Sequence, residues 1–539
     1  MFKMSGMEAD FKGTMTHPTG EKPTGIETLK RSWPLDTPGG RFYAEWDTQA
    51  PVTREGQLIF FFQFLHAGCR WKEFLKNCPL SYTGNRGSGA DKVMGTVLLS
   101  ILNGHWRYAH INAVRGDGIN PGLLGIDGTV SEDAVRLGMG RIEEEAGLEW
   151  ISGHVLESIS PVLGLPWILD MDVTVKPLYG RQQGSQIGYN PQKPGRPSHV
   201  YHSYFVANLR ISLGVEVRSG KEHAGARGLP QLWKTLDKLP RSSWPTYARG
   251  DCGYGNEAVM REFEERNLPY LFKLRHTPKV KELVKAMMSQ GALWQDCRDG
   301  WQALESTIRL KGWTKERRVV LVRENPARAP ICLKDKAVRR GKDRQGVFPQ
   351  AQGEGWEGQC TPWSGKIAVL VSSLDPVLFP TQCMPKQYRD RADAENGFDE
   401  LKNQWGWGGF TSRKLSSSRM MANLVALFYN WWNLYVRFFD QEHHREAIRS
   451  RPMLMQGVGR QVQSGGQRTV KVSILHEKQE LIAQAVQLIS NELEHIHSIT
   501  ERWTSLECWT LLLTRLFQRT LGGKWLPNLP PEASLLLGG

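Results

Sequence analysis

The chain has 539 residues, and at about 150 residues per domain this length indicates several domains. Hydrophobic residues make up 40% and charged residues 23%, which excludes a wholly disordered chain. Lysine and arginine exceed aspartate and glutamate by 69 − 55 = 14, so we expect a polyanionic partner, either nucleic acid or an anionic membrane surface.

The cysteines and the apolar runs bear on where the chain works. Eight cysteines form no CxxC or CxxH pair, which argues against a zinc site or a disulfide framework and favours reduced thiols in a cytosol. The polar N-terminus lacks the apolar core of a signal peptide. The uncharged run Met420–Val436 is short for a spanning helix, contains three Asn residues and lies between two Arg residues, so we interpret it as a buried core helix.

The first third of the chain predicts an arm followed by helices. Residues 1–55 are rich in Gly, Pro, Thr and Lys and predict a flexible arm. Residues 56–165 have helical periodicity, and Ser131 is placed to cap a helix that begins with two acidic residues. Several short helices in a basic chain permit a helix-turn-helix reader, so we expect a helical DNA-binding region here.

From about residue 166 the pattern changes to strands. The segment WILDMDVTV alternates, and two further strand patterns follow it before a helix. A short strand then ends at Asp251, Asn256 is placed to cap the next helix, and another strand follows. The order β-β-β-α-β-α-β over 166–289 predicts a ribonuclease H-like core, a mixed sheet with helices on its faces.

An insertion divides this core in the sequence. Residues 290–365 contain two strand patterns and then a Gly-, Pro- and Lys/Arg-rich stretch, which predicts a β-rich insertion. The buried-strand pattern KIAVLVSSL returns to the core over 366–440, and residues 441–539 predict a C-terminal helical region. The expected fold is therefore multidomain α+β, a ribonuclease H-like core with an insertion, flanked by helical regions.

The segment YRDRADAENGFDELK, residues 388–402, carries the most informative chemistry. On an ideal helix, its Tyr388, Arg391, Glu395 and Lys402 share a stripe about 60° wide. A carboxylate between two cations and a phenol suits a metal ligand beside groups that hold a phosphate backbone. A surface ladder of salt bridges would have the same geometry, and geometry alone leaves both interpretations open.

The spacing Tyr-(2)-Arg-(3)-Glu-(6)-Lys resembles the signature of bacterial insertion-sequence transposases of the DDE class. The resemblance covers about residues 166–440 and implies that Glu395 is the third catalytic carboxylate, reached after a β-rich insertion. It also implies a first Asp inside the first core strand and a second at the end of the fourth. Asp172 and Asp251 match these positions, separated from each other and from Glu395 by 79 and 144 residues.

Each Asp has an alternative interpretation. Asp170 points to the same face of its strand as Asp172, and we favour Asp172 because Thr174 follows it as the family usually has a Thr there. An Asp inside an apolar strand costs several kcal/mol unless it is paired or binds metal. Asp251 precedes Gly253 in a turn, which is a common use of Asp by itself.

The resemblance implies a function and its partners. It implies cleavage at the ends of a mobile element and joining of the freed 3′-OH to target DNA, with the second strand cut through a hairpin in several members. Three carboxylates would hold two Mg²⁺ ions, which Mn²⁺ can replace. Expected partners are double-stranded DNA at element ends and target, and a second copy in a synaptic homodimer, with no membrane partner. We expect a bacterial cytoplasmic, nucleoid-associated protein.

Two other functions stay open at this stage. A ribonuclease H-like nuclease without strand transfer would use the same carboxylates, but it gives no reason for the Tyr-Arg-Lys pattern or the insertion. A catalytically silent DNA-binding regulator would not need an intact carboxylate triad.

The insertion also contains candidate stacking residues. Several Trp residues lie there in a polar, basic, Gly-rich setting, which favours exposed platforms for bases. We predict DNA contacts for Trp313, at an expected hairpin tip, and for Trp356 in the loop that follows. Trp301 is expected to pack under the sheet of the insertion.

Overall fold

The structure, a computed structural model, describes residues 33–44, 51–82, 87–191, 193–289, 291–325, 367–500, 502–522, 524 and 526. The N-terminal part contains short strands and then helices: β1 (Trp33–Thr37), β2 (Gly40–Ala44), β3 (Val52–Thr53), α1 (Leu58–Ala67), α2 (Arg70–Lys76), α3 (Ala90–Leu102), α4 (Asn120–Leu123), α5 (Glu132–Arg141) and α6 (Glu144–Ile159). The Ser131 hydroxyl accepts a hydrogen bond from the Ala134 amide at 3.2 Å, so the predicted cap of α5 is confirmed.

The central part alternates strands and helices. Its elements are β4 (Ile168–Pro177), β5 (Gln186–Ile187), β6 (Pro197–Val206), β7 (Ile211–Ser219), α7 (Leu229–Leu236), β8 (Tyr247–Gly250), α8 (Glu257–Glu265), β9 (Tyr270–Lys273), α9 (Pro278–Ser289), β10 (Gln295–Asp296), β11 (Trp301–Ile308), β12 (Arg317–Glu324) and β13 (Ala368–Ser372). Apart from the two-residue β5 and the additional helix α9, the predicted order over 166–289 is confirmed. Asn256 caps α8 through the Val259 amide, as predicted.

The C-terminal part returns to helices around one hairpin. Its elements are α10 (Met384–Arg389), α11 (Ala392–Gln404), α12 (Leu415–Val436), α13 (Ala447–Leu454), β14 (Gly457–Ser464), β15 (Gln467–Ile474), α14 (Gln479–Ile499) and α15 (Ser505–Leu516).

One large sheet organises the central part. Its strands follow the order β10-β11-β12-β13-β9-β8-β4-β6-β5, with β7 also paired to β6. Strands β4, β8 and β9 are parallel, whereas β6 is antiparallel to β4 and β7 to β6. The strands of the insertion continue this sheet, because β13 pairs with β9 on one side and β12 on the other. The protein is therefore a mixed α/β structure in which core and insertion share a sheet.

Helix α12 forms the centre of the core, as predicted for the uncharged run, and all its residues from Met420 to Val436 are buried. Two of its Asn side chains bond to the backbone of β7. The Asn430 amide group accepts from and donates to Ser212, both at 2.8 Å, and Asn423 bonds in the same way to Val215. The Asn residues thus satisfy backbone groups that β7 does not pair with β6. Within the described ranges, no helix is long and apolar enough to cross a membrane.

Two predicted regions differ from the structure. Residues 457–474, expected to belong to a helical region, form the antiparallel β14–β15 hairpin, whose turn residues Gly465 and Gly466 both have positive φ. A Gly-Gly pair between alternating apolar residues favours such a turn over a helix. Residues 33–44, expected to be flexible, form the β1–β2 pair, and β3 pairs with β14.

Candidate active site

The first two candidate carboxylates lie at the same edge of the sheet. Strands β4 and β8 run parallel with Leu169 opposite Ala248 and Met171 opposite Gly250. Continuing this register by one residue sets Asp172 opposite Asp251, which directly follows β8. Neighbouring strands lie about 4.8 Å apart, so these residues, far apart in sequence, are neighbours in the fold.

Asp170 and Asp172 have different surroundings although they face the same side of β4. Asp170 is fully buried, and both its oxygens accept hydrogen bonds of 2.6 Å from Arg249, the residue opposite it on β8. About 22% of the Asp172 side chain is exposed, and one oxygen accepts a 2.8 Å bond from Arg391. The structure therefore commits Asp170 to an internal ion pair and leaves Asp172 open to solvent.

Glu395 extends from α11 toward the same guanidinium. Arg391 donates to Glu395 at 2.6 Å and to Asp172 at 2.8 Å, so one cation links two candidate carboxylates. The Glu395 side chain is 63% exposed. By contrast, Glu400 on the same helix is buried and accepts bonds from the Trp405 indole and the Ala447 amide, which makes it a structural residue.

Carboxylates and one guanidinium shift each other's pKa at this site. Burial raises the pKa of the Asp172 carboxyl; the Arg391 guanidinium lowers it, and the neighbouring Asp251 and Glu395 raise it further. Burial opposes the charge on Arg391, but Asp172, Tyr388 and the other carboxylates outweigh it and raise the pKa of the guanidinium. An excess of carboxylates therefore shares one buried cation, an arrangement that favours an additional positive charge.

Comparison with known proteins identifies this region. Residues 163–431 match the family described as the transposase DDE domain. The chain carries a transposase DDE domain. Among solved structures, the chain is similar to the piggyBac transposase in a cryo-EM synaptic complex with hairpin DNA, at 11% sequence identity and a TM-score of 0.34, with 90% of this chain and 89% of that chain covered. None of the curated proteins compared with the chain matches its sequence.

Asp251 of the DDE domain also stabilises a turn, as the position of Gly253 after it indicated. Its Oδ1 accepts the Gly253 amide at 2.9 Å, and its carbonyl accepts the Tyr254 amide. These bonds fix the carboxyl at the end of β8. The catalytic roles of Asp172, Asp251 and Glu395 stay predictions, which the geometry above makes specific.

The motif that predicted this part of the DDE domain does not lie on one helix. The chain breaks at Asp390 and Arg391, between α10 and α11. Tyr388 is half-buried on α10, where burial raises the pKa of its hydroxyl, and Lys402 is exposed on α11. The prediction that the four residues share one continuous helix is therefore wrong, because Asp390 and Arg391 separate α10 from α11. Whether Tyr388, Arg391 and Lys402 contact DNA stays a prediction.

The predicted exposure of Trp313 is wrong. Only 7% of this residue is exposed, and its ring packs in the main core with the Arg317 guanidinium 5.0 Å from the ring centre. The hairpin tip folds back because Arg317 also pairs with Glu257 and Glu264 on α8. A buried ring cannot serve as an exposed stacking platform.

Of the other two Trp residues with predicted roles, one packs against the protein and one lies outside the described residues. Trp301 is half-buried beside a small apolar cluster, in agreement with the packing predicted for it. Trp356 lies outside the described residues, and its DNA contact stays a prediction.

Sequence reasoning missed Arg249, which positions the site. Besides its two bonds to Asp170, it donates to the Gln387 carbonyl on α10, so it joins β4, β8 and the segment that leads to Glu395. The available signal was an Arg inside a short buried strand, since a buried Arg requires an acidic partner and Asp170 lies inside another buried strand.

The three carboxylates are not arranged as a closed metal site. Among the described residues, no group of three or more His, Cys, Asp or Glu side chains is placed to hold a metal ion. The donor chemistry does suit a divalent cation, because carboxylate oxygens are the preferred ligands of Mg²⁺. Arg391 lies between Asp172 and Glu395, so binding of a cation by both requires that this guanidinium shift.

Proposed function

We propose that this protein is a DNA transposase that binds the inverted-repeat ends of its element, cleaves them in a metal-dependent reaction and joins them to target DNA. The observation that supports the proposal is that Arg391 bonds to both Asp172 and Glu395, with Asp251 next to Asp172 on the neighbouring strand, within a stretch that matches the transposase DDE domain. The strand order β7-β6-β4-β8-β9 supports a ribonuclease H-like core, because β6 runs opposite to the other four strands, which share one direction.

Asp172, Asp251 and Glu395 would hold the metal, with Mg²⁺ the expected ion and Mn²⁺ a substitute. When bound there, a divalent cation would supply activation of the attacking oxygen and stabilisation of the leaving oxygen of the phosphodiester. Arg391 balances the charges of Asp172 and Glu395 through its bonds to both carboxylates. Asp251, held by its turn, supplies a carboxyl of fixed position.

The partners that we propose follow from charge and chemistry. The net charge of +14 favours double-stranded DNA at both element ends and target. We further propose a homodimer in the synaptic complex, second-strand cleavage through a hairpin, and action in the bacterial cytoplasm at the nucleoid.

The test is an assay of the full chain on DNA that carries its own inverted repeats. With Mg²⁺ or Mn²⁺ we expect nicking at the repeat boundary, a hairpin or double-strand break, and joining to a target plasmid, all lost in EDTA. Scrambled repeats of equal length are the control. Cleavage of both substrates without joining would replace the proposal by a nuclease; specific binding without cleavage would replace it by a regulator.

A further inference from the structure

A long loop follows the strand that carries Asp172. We call residues 178–196 the β4–β6 loop, since they connect these two strands, with β5 inside. Two tyrosines in this loop face solvent: Tyr179 is 68% exposed and Tyr189 is 59% exposed. Both rings are accessible to a ligand, and nothing in the proposed chemistry uses them.

The loop is strongly basic. No Asp or Glu occurs between Val173 and Val215. Within the loop, three cationic side chains are exposed: Arg181, Lys193 and Arg196. The sequence around the tyrosines therefore has no internal carboxylate to neutralise its charge, which favours an anionic ligand.

Two of these cations are arranged around Tyr179. The Lys193 ammonium lies 5.0 Å and the Arg196 guanidinium 4.6 Å from the centre of the ring, and Lys193 also donates to the Tyr179 hydroxyl. Asn190 orders this part of the loop, because it is buried and its side chain accepts the Lys193 amide at 3.0 Å. The ring and its cations are thus held together on a structured turn.

Tyr189 connects the loop to the candidate active site. Its ring packs on His223 with 4.5 Å between ring centres. The backbone at Gly188 lies against Gly220, and Gly225 lies against the carbonyl of Gly253, in the turn that positions Asp251. The loop therefore borders the site on its Asp251 side.

We propose that the β4–β6 loop binds unpaired DNA beside the active site, with bases stacked on Tyr179 and Tyr189 and phosphates held by Arg181, Lys193 and Arg196. The inference rests on the proposed function for the identity of the anion as DNA. Single-stranded rather than duplex DNA is favoured because ring faces can stack only on bases that have left the helix. Duplex phosphates would engage the cations and leave both rings unused.

The experiment compares single-stranded with duplex DNA. The probes are a fluorescent oligothymidine and a mixed-sequence duplex of equal length, each about 20 units long so that it exceeds one binding site. We expect the full-length double variant Tyr179→Ala/Tyr189→Ala to bind the oligothymidine roughly tenfold or more weakly, since stacking contributes about 1–3 kcal/mol per base. Duplex affinity should stay within about twofold of the unsubstituted protein.

Two further variants test the cause. Tyr179→Phe/Tyr189→Phe should retain oligothymidine binding because the ring faces remain, and Tyr43→Ala removes an exposed Tyr on β2 as a matched control. An unchanged melting temperature of the Ala double variant excludes unfolding as the cause.

The outcomes separate this inference from the proposed function. Equal losses for single-stranded and duplex DNA, loss in the Phe variant, or no loss at all would each overturn stacking on the two rings. If the unsubstituted protein fails to cleave element ends but the Ala variant still loses oligothymidine binding selectively, the loop inference stands and the proposed transposition chemistry falls.

Discussion

Two Asp residues of strand β4, two positions apart, each pair with an Arg from another part of the fold, and the two pairs differ in exposure. The pair of Asp170 with Arg249 is closed: both residues are buried, and two bonds of 2.6 Å join them. The pair of Asp172 with Arg391 is open, since Asp172 reaches solvent and Arg391 also binds the exposed Glu395. Burial with complete hydrogen bonding fixes the first pair, whereas the second keeps carboxylate oxygens accessible for chemistry.

The open pair should carry the largest effect on activity. We expect Asp172→Asn, Asp251→Asn and Glu395→Gln each to lower end cleavage by about 10⁴-fold or more, because each removes a metal-ligand charge from the site. Binding to element ends should remain within a few-fold, since affinity comes mainly from phosphate contacts. Gel assays of cleavage and binding on one labelled end measure both quantities.

Cleavage retained by Asp172→Asn but lost in a folded Asp170→Asn variant would reverse the assignment within β4.

The closed pair, Asp170 with Arg249, should carry the largest effect on stability. Asp170→Asn leaves the Arg249 charge buried with a neutral partner, and we expect a loss of about 3–5 kcal/mol of unfolding free energy. Urea unfolding of this variant and of Asp172→Asn provides the comparison.

A matched control tests whether the closed pair acts through its charges. Replacing both partners, as in Asp170→Leu/Arg249→Met, should recover most of the stability, because no unpaired charge remains. A double variant as unstable as Asp170→Asn would show that Arg249 acts mainly through its bond to Gln387.

The pH dependence of cleavage should follow the open pair. Burial raises the pKa of Asp172, and Arg391 is the neighbour that lowers it. Removing that positive charge with Arg391→Gln raises the pKa further, so Asp172 becomes ionised only at higher pH. We therefore expect the acid limb of the cleavage profile to move to higher pH in Arg391→Gln and to stay near its original position in Arg391→Lys. A shift to lower pH, or an equal shift in both variants, would contradict this role.

The smallest expected effect concerns Lys402, which is exposed on the same helix as Glu395. If it contacts a phosphate, Lys402→Ala should flatten the dependence of log affinity on log salt by about one unit. Lys279→Ala, which removes an exposed cation from α9, is the control. An unchanged slope for Lys402→Ala would favour a surface charge without a DNA contact.

Much of the core could be predicted because its strands alternate clearly. The alternation in β4 predicted Asp170 and Asp172 on one face, and the family pattern with Thr174 favoured Asp172. That Arg249 pairs with Asp170 depends on the register of β4 against β8, which the sequence does not reveal. The exposure of Trp313 could not be predicted, because local composition does not reveal that Arg317 pairs with α8 next to this ring. The Gly465-Gly466 pair is a local signal for a hairpin turn. The prediction assigned these residues to a helical region because the segments that follow have helical periodicity.

The contact between α1 and the C-terminal helices has a consequence for the time at which the chain can fold. The Gln63 amide donates to the Ser490 carbonyl, 427 residues away, and the ring of Phe64 lies 5.5 Å from that of Trp509. At a synthesis rate of about 5–20 residues per second, Gln63 waits roughly 20–90 s for this partner. During that interval the apolar face of α1 has no α14 or α15 to cover it. A ribosome that stalls before α14 therefore leaves this face exposed, which makes the unfinished chain a substrate for chaperones and proteases.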